Sequence, residues 1–87
     1  MISKSFKLSN DDGLNIQNAQ VLVNAMSKYI SSVIISLNGD EVNAKSIISL
    51  MVAKIESGTE LTVECSGRDE KEAMAEVSRL FENGFVL

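Results

Sequence analysis

The stretch GLNIQNA at residues 13–19 follows a predicted strand and opens a predicted helix, and this junction decides the fold class. Just before it, residues 10–13 (NDDG) form a turn cluster of residue types that bond their own backbone or accept positive φ. From Asn18 to Ile30, apolar residues recur at three- and four-residue spacing, which predicts an amphipathic helix. The predicted inner face of this helix is Ala19, Leu22, Val23, Met26, Tyr29 and Ile30. Residues 2–8 mostly alternate between apolar and polar side chains, which predicts a half-buried strand.

The middle of the chain predicts a hairpin followed by a second helix. The β-branched run at residues 33–37 predicts a buried strand. Asn38-Gly39 after it is a strong hairpin signal, because both central residues of a type I′ turn need positive φ. The return strand is predicted over residues 40–43. Ser46 stands where a helix N-cap belongs, before a short apolar segment.

The last third of the chain predicts a strand and a third helix. Residues 61–66 alternate, so Cys65 is predicted to point inward and to be inert. Asp69 and Glu72 have capping-box spacing, which predicts the start of a helix that ends at Gly84. The predicted inner face of this helix is Ala73, Val77, Leu80 and Phe81. The resulting order of elements predicts an α+β two-layer fold, in which three helices cover one face of an antiparallel sheet.

Composition limits the classes of function. A chain of 87 residues that is 45% hydrophobic and 23% charged predicts a single domain over residues 1–87. A net charge of −4 argues against a nucleic acid partner. No apolar run is long enough to span a membrane, and a signal peptide is not expected. The single cysteine excludes an internal disulfide and fits a cytoplasmic location. Because the chain also has no histidine, we expect no metal and no cofactor.

The chain resembles HPr, the small phosphocarrier of the bacterial sugar phosphotransferase system, in its length and in two segments. HPr proteins typically have Gly-(Leu/Ile)-His-Ala-Arg-Pro-Ala where this chain has residues 13–19. They have Lys-Ser-(Ile/Leu)-Met-x-Leu-Met where this chain has KSIISLM at residues 45–51. The resemblance covers essentially the whole chain. It implies an HPr-like open-faced two-layer sandwich with the order β-α-β-β-α-β-α.

The resemblance also locates an active site whose chemistry this chain lacks. In the family, enzyme I charged by phosphoenolpyruvate phosphorylates a histidine nitrogen, and HPr passes the phosphoryl group to sugar-transport proteins. Here Asn15 stands at the phosphoryl-histidine position, Gln17 at the Arg position and Asn18 at the Pro position, and Ile16 replaces a small residue. The amide nitrogen of Asn15 is not a nucleophile, and Gln17 cannot supply the cation. We predict that the chain is not an enzyme and does not carry phosphate on histidine.

Ser46 matches the serine that HPr kinase/phosphorylase modifies in the family. In the family, phosphoserine HPr and the related Crh, which lacks the active histidine, bind the catabolite repressor CcpA through this helix and its exposed apolar residues. The resemblance therefore implies a regulatory or adaptor module switched at Ser46 as in Crh, with HPr kinase/phosphorylase and a CcpA-like repressor as partners. The implied partner-binding residues are Lys45, Ile47, Ile48 and Met51.

Alternatives remain open at both segments. Crh-type proteins keep the Arg and Pro that Gln17 and Asn18 replace here. Residues 15–18 are therefore either the remodelled loop of a binding module that is not phosphorylated, or polar residues that cap the helix, with Asn18 able to do so through its side chain. Ser46 is equally an ordinary N-cap residue. A protein that inherits the name of a phosphocarrier without its chemistry is a further alternative.

Two other groups of residues are predicted to be structural. The acidic residues near the turns lack the spacing of a calcium loop, so we expect them to be solvated rather than metal-binding. These residues are Asp11, Asp12, Asp40 and Glu41. The apolar ending at residues 84–87 is predicted to pack back on the sheet, with a self-association contact as the alternative.

Overall fold

A computed structural model describes residues 1–86 and has the predicted order of strands and helices. The elements are β1 (Ile2–Lys7), α1 (Ile16–Met26), β2 (Ser32–Leu37), β3 (Asp40–Asn43), α2 (Ile47–Ala53), β4 (Glu60–Ser66) and α3 (Glu70–Glu82). The predicted α+β class is therefore confirmed.

The four strands form one antiparallel sheet in the order β1-β4-β2-β3. Alternate residues of the central strands β2 and β4 point into the core beneath the helices, as period-two strands require. Cys65 is one of these residues and is fully buried, as predicted. Its burial raises the pKa of the thiol, so the side chain behaves as a small apolar group.

The turn between β2 and β3 is the one that the sequence predicts. Asn38 has φ of 51° and Gly39 has φ of 86°. Two successive positive φ angles are the requirement of a type I′ turn, and the strands on either side pair in register, with Leu37 opposite Asp40. The hairpin prediction is confirmed.

The bounds of α1 differ from the prediction at both ends. The helix begins at Ile16 because the side chain of Asn15 caps it. It ends at Met26 rather than at Ile30, and the Oγ of Ser27 donates to the carbonyl oxygen of Val23 at 2.7 Å. Ile30 was predicted to lie on the inner face, but its side chain is 71% exposed.

Helix α3 begins after Asp69, as predicted, but the capping box predicted there does not form. The Asp69 side chain makes no cap hydrogen bond to its own helix. Its carboxylate instead accepts from the backbone N–H groups of Ile30 and Ser31, both at 3.0 Å, and from the Ser31 Oγ at 2.5 Å. Glu70 lies near the start of the helix and accepts from the Gly67 N–H at 3.1 Å. Asp69 therefore ties α3 to the segment between α1 and β2.

The hydrogen bonds to Asp69 predict a specific pH dependence. The Ser31 hydroxyl, followed by the two backbone N–H groups, holds the pKa of the Asp69 carboxyl below its usual range. A carboxylate with a lowered pKa stabilises the fold above its unfolded-state pKa, and this contribution is lost as the pH falls through the lowered value. We expect Asp69→Asn to be less stable than the parent at neutral pH and to lose less stability between about pH 5 and about pH 2.5. Thermal unfolding at several pH values, monitored by circular dichroism, measures the stability of the parent and of the variant. If stability falls with pH equally steeply in both proteins, the prediction is contradicted. Asp40→Asn in the exposed hairpin is the matched control.

The carboxyl-terminal part of α3 confirms two predictions. The predicted inner face of α3 is buried. Gly84 has φ of 71°, and the N–H of Phe85 reaches back to the carbonyl oxygen of Leu80 at 2.8 Å, as in a Schellman-type stop. The ending was predicted to pack back on the sheet; Phe85 is buried with its ring against Phe81 of α3, whereas Val86 is exposed. Leu87 lies outside the described residues.

Candidate functional site

The side chains of Asn15 and Asn18 hold the start of α1 together. Asn15 Oδ1 accepts from the backbone N–H of Asn18 at 2.9 Å, so Asn15 is the N-cap. Asn18 does not cap the helix, which corrects the expectation for its side chain. Its Nδ2 donates instead to the carbonyl oxygen of Gly13 at 3.2 Å. Both amides are therefore engaged in local structure.

The two residues between these amides face outward. Ile16 is 63% exposed, and Gln17 is also exposed. From Ile16, a shallow groove of about 550 Å³ follows α1 past Gln20 and Asn24 to the side chains of Lys28 and Glu76. The amino-terminal half of this groove offers amide and aliphatic groups only, and none of them is a nucleophile.

Ser46 is the N-cap of α2, as predicted. Its Oγ accepts from the backbone N–H of Ser49 at 3.2 Å, and its side chain is partly exposed. Its own N–H donates to the carbonyl oxygen of Asn43 at 3.1 Å. The hydroxyl oxygen therefore lies at a fixed position at the surface, where the first turn of α2 begins.

The side chain of Lys45 is bonded away from its sequence neighbour Ser46. Its ammonium nitrogen donates to the carbonyl oxygen of Tyr29 at 2.6 Å, and the residue is partly buried. The Lys45 N–H also donates to Asn43 Oδ1 at 2.9 Å. The ammonium group therefore connects the residues just before α2 to the segment between α1 and β2, and it does not project freely beside Ser46.

The apolar side chains of α2 fall into three groups according to how far they are buried. Leu50 is fully buried, and Ile47 and Met51 are half-buried against the core. Ile48 is 73% exposed, and Val52, four residues further on, is 74% exposed on the same side of the helix. The sequence prediction missed Val52. Helical spacing from the buried Leu50 could have identified it.

Tyr29 and Glu76 form a polar contact at the edge of the groove. The Tyr29 hydroxyl donates to Glu76 at 2.5 Å, and Lys28 Nζ lies 3.0 Å from the same carboxylate. The hydrogen bond to Glu76 is the main reason that the pKa of Tyr29 rises to about 12. Tyr29 therefore stays neutral and joins the segment between α1 and β2 to α3.

The acidic residues near the turns do not form a site. The predicted solvated residues Asp11, Asp12, Asp40 and Glu41 are all exposed. Within residues 1–86, His, Cys, Asp and Glu side chains nowhere gather in groups of three or more suited to a metal ion.

Comparison with known proteins assigns the chain to a family. The family model described as "PTS HPr component phosphorylation site" matches residues 2–83. The chain belongs to the HPr family. The phosphocarrier protein HPr of Xylella fastidiosa strain Temecula1 is 40% identical over 85 residues, which cover 98% of this chain and 96% of that protein. The HPr-like protein Crh of Halalkalibacterium halodurans is 36% identical over 74 residues, which cover 85% of this chain and 88% of that protein.

A solved structure of the HPr family has the same architecture. The crystal structure of HPr-C-His from Thermoanaerobacter tengcongensis matches with a TM-score of 0.94 at 29% identity, covering 98% of this chain and 96% of that chain. The resemblance that the sequence suggests is thus confirmed for family and fold. HPr proteins are phosphocarriers rather than enzymes. Across residues 1–86, no helix combines the length and the apolar character needed to cross a bilayer.

Proposed function

We propose that this chain is a protein-binding regulatory module of the HPr family that is switched at Ser46 and carries no phosphoryl group at residue 15. The observation that carries the proposal is Asn15. It occupies the position that the resemblance assigns to the phosphoryl-accepting histidine, and its side chain caps α1. The chain has no histidine elsewhere that could replace it.

The proposed switch is phosphorylation by a kinase of the HPr kinase/phosphorylase class. Ser46 Oγ attacks the γ-phosphorus of ATP, the bond from that phosphorus to the β,γ-bridging oxygen breaks, ADP leaves, and the hydroxyl proton passes to a base of the kinase. The surface position of Ser46 and the absence of charge in the helix that follows support this role. In the proposal, Lys45 holds the start of α2 in place, and docking uses Ile47, Ile48 and Met51.

A second candidate function is a binding module that uses residues 15–18 without phosphorylation. The exposure of Ile16 and Gln17 favours it. The hydrogen bonds of Asn15 and Asn18 count against it, because both side chains are engaged within the loop. A partner could therefore contact only half of this segment through free side chains.

Intact mass spectrometry tests the switch. We expect one phosphate after incubation with ATP and HPr kinase/phosphorylase, and none after incubation with phosphoenolpyruvate and enzyme I. Ser46→Ala should abolish the addition, whereas Ser49→Ala, one turn along the same helix, should keep it. Because Ser46→Ala also removes an N-cap worth about 1 kcal/mol, circular dichroism must show that the variant is folded.

The other outcomes separate the candidates. No phosphate from the kinase would contradict the switch and favour the unphosphorylated binding module. A phosphate acquired from enzyme I would show that the interpretation of Asn15 is wrong.

A further inference from the structure

Residues 27–31 join α1 to β2, and side chains from two other parts of the chain bind them. We call these residues the α1–β2 link. Asp69, just before α3, accepts from two successive backbone N–H groups of the link, both at 3.0 Å. Glu76 of α3 accepts from the hydroxyl group of Tyr29. These contacts tie the link to α3.

Lys45 supplies the contact from the α2 side. Its ammonium nitrogen donates to the carbonyl oxygen of Tyr29 at 2.6 Å, and the residue is partly buried. The backbone around Lys45 is bound independently of this contact. The N–H of Ala44 donates to the carbonyl oxygen of Val33, and the N–H of Lys45 donates to Asn43 Oδ1, both at 2.9 Å. The Lys45 side chain can therefore leave the link while its backbone stays in place.

A phosphate on Ser46 would compete with the link for the Lys45 ammonium group. An ammonium group interacts more strongly with a dianion than with the partial charge of a carbonyl oxygen. The long flexible stem of lysine allows it to turn toward a phosphate on the next residue. Two other lysines are placed less favourably, since Lys28 pairs with Glu76 at 3.0 Å and Lys54 lies at the opposite end of α2. Lys45 is therefore the cation that the phosphate attracts.

We infer that Lys45 is a latch between Ser46 and the α1–β2 link, and that a phosphate on Ser46 binds the Lys45 ammonium group and releases the link. The inference rests on the proposed function and adds what the phosphate does inside the molecule. Transfer of the γ-phosphoryl group of ATP to Ser46 Oγ releases ADP and replaces the hydroxyl proton with a group of about two negative charges. The carbonyl oxygen of Tyr29 then loses its ammonium donor, and the link keeps its contacts with α3. The state of Ser46 thus reaches the end of α1 through one side chain.

Amide hydrogen exchange measured by NMR tests the latch in the full chain, with phosphoserine incorporated at position 46 during translation. We expect the N–H groups of Ile30 and Ser31 to exchange at least about fivefold faster in the phosphoserine chain, relative to the N–H of Val63 in β4. Lys45→Met should cause a similar acceleration without phosphate, because methionine has no donor for the carbonyl oxygen. In the Lys45→Met background, phosphoserine should add less than about twofold.

Two control variants separate the latch from other effects at α2. Ser46→Ala removes the N-cap oxygen without adding charge, so it should leave exchange in the α1–β2 link unchanged. Lys54→Met removes a lysine at the opposite end of α2 and should also leave it unchanged. Circular dichroism must show that Lys45→Met is folded. If it is not, the comparison of the phosphoserine chain with the unmodified chain still tests the release.

The latch and the proposed function fail in different ways. Unchanged exchange in the link of the phosphoserine chain would overturn the latch and leave phosphorylation of Ser46 standing. An equal acceleration by phosphoserine with and without the Lys45 ammonium group would also overturn it, because the phosphate would then act by another route. Failure of the kinase to modify Ser46 would instead contradict the proposed function, and exchange in the phosphoserine chain would still decide the latch.

Discussion

The Gly67→Ala variant is expected to lose about 3 kcal/mol or more of its free energy of unfolding. A methyl group at this position would lie 2.6 Å from the Oγ of Ser31 and 2.7 Å from its Cα. Ser31 cannot move aside freely, since its N–H and its hydroxyl are both bound by Asp69. The substitution therefore forces either a backbone shift at the start of β2 or the loss of these hydrogen bonds.

Gly67 also has φ of 150°, which L residues rarely adopt, and Gly58→Ala measures what a positive φ costs without a steric contact. Gly58 has φ of 84°, and an added Cβ would meet no atom within 4 Å. Only the strain of a left-handed conformation remains, which is about 1 kcal/mol. Urea denaturation of both variants measures the difference in the free energy of unfolding. Equal losses would contradict the close approach of Gly67 to Ser31.

The elements that the sequence predicted correctly are those with a local cause. The Asn38-Gly39 turn depends on two adjacent residues that tolerate positive φ. The inner face of α3 depends on spacing within one helix, and Cys65 points inward because of alternation within one strand. In each case the residues that decide the structure are neighbours along the chain.

The errors concern contacts between distant residues. The sequence pattern at Asp69 is that of a capping box, but its carboxylate binds backbone groups nearly forty residues earlier. The N–H of Ile30 donates to this carboxylate and not to a carbonyl oxygen of α1, which has already ended at Met26. Local propensity contains no information about such a partner, so neither the end of α1 nor the loss of the capping box could be foreseen.

The candidate site was predictable in position but not in geometry. The resemblance placed Asn15 and Ser46 at the amino ends of two helices, and both prove to be N-caps. The tie between the Lys45 ammonium and the carbonyl oxygen of Tyr29 depends on how α1 and α2 pack. Val52 was missed because the motif that carries the resemblance ends at Met51, whereas the exposed side of α2 continues one residue beyond it.

Leu50→Ala is expected to cost about 3 kcal/mol of stability, with the largest local effect on α2. Leu50 is fully buried, and it is the only buried residue of this seven-residue helix. A helix this short does not persist in water without tertiary contacts. Truncating Leu50 removes the main apolar contact that holds α2 against the core. We therefore expect faster amide hydrogen exchange in α2 than the global loss of stability explains, and slower phosphorylation of Ser46 by the kinase.

Val52→Ala is the matched control, because it shortens an exposed side chain of the same helix. Its stability should stay within about 0.5 kcal/mol of the parent, since 74% of Val52 faces solvent. Its binding to a protein partner that docks on the exposed side of α2 should nevertheless weaken. If α2 is both a structural element and a docking surface, Leu50 and Val52 must separate these roles, with stability lost in one variant and binding alone in the other. Unchanged stability in Leu50→Ala would show that α2 is held by contacts other than this side chain. Unchanged binding in Val52→Ala would remove Val52 from the docking surface.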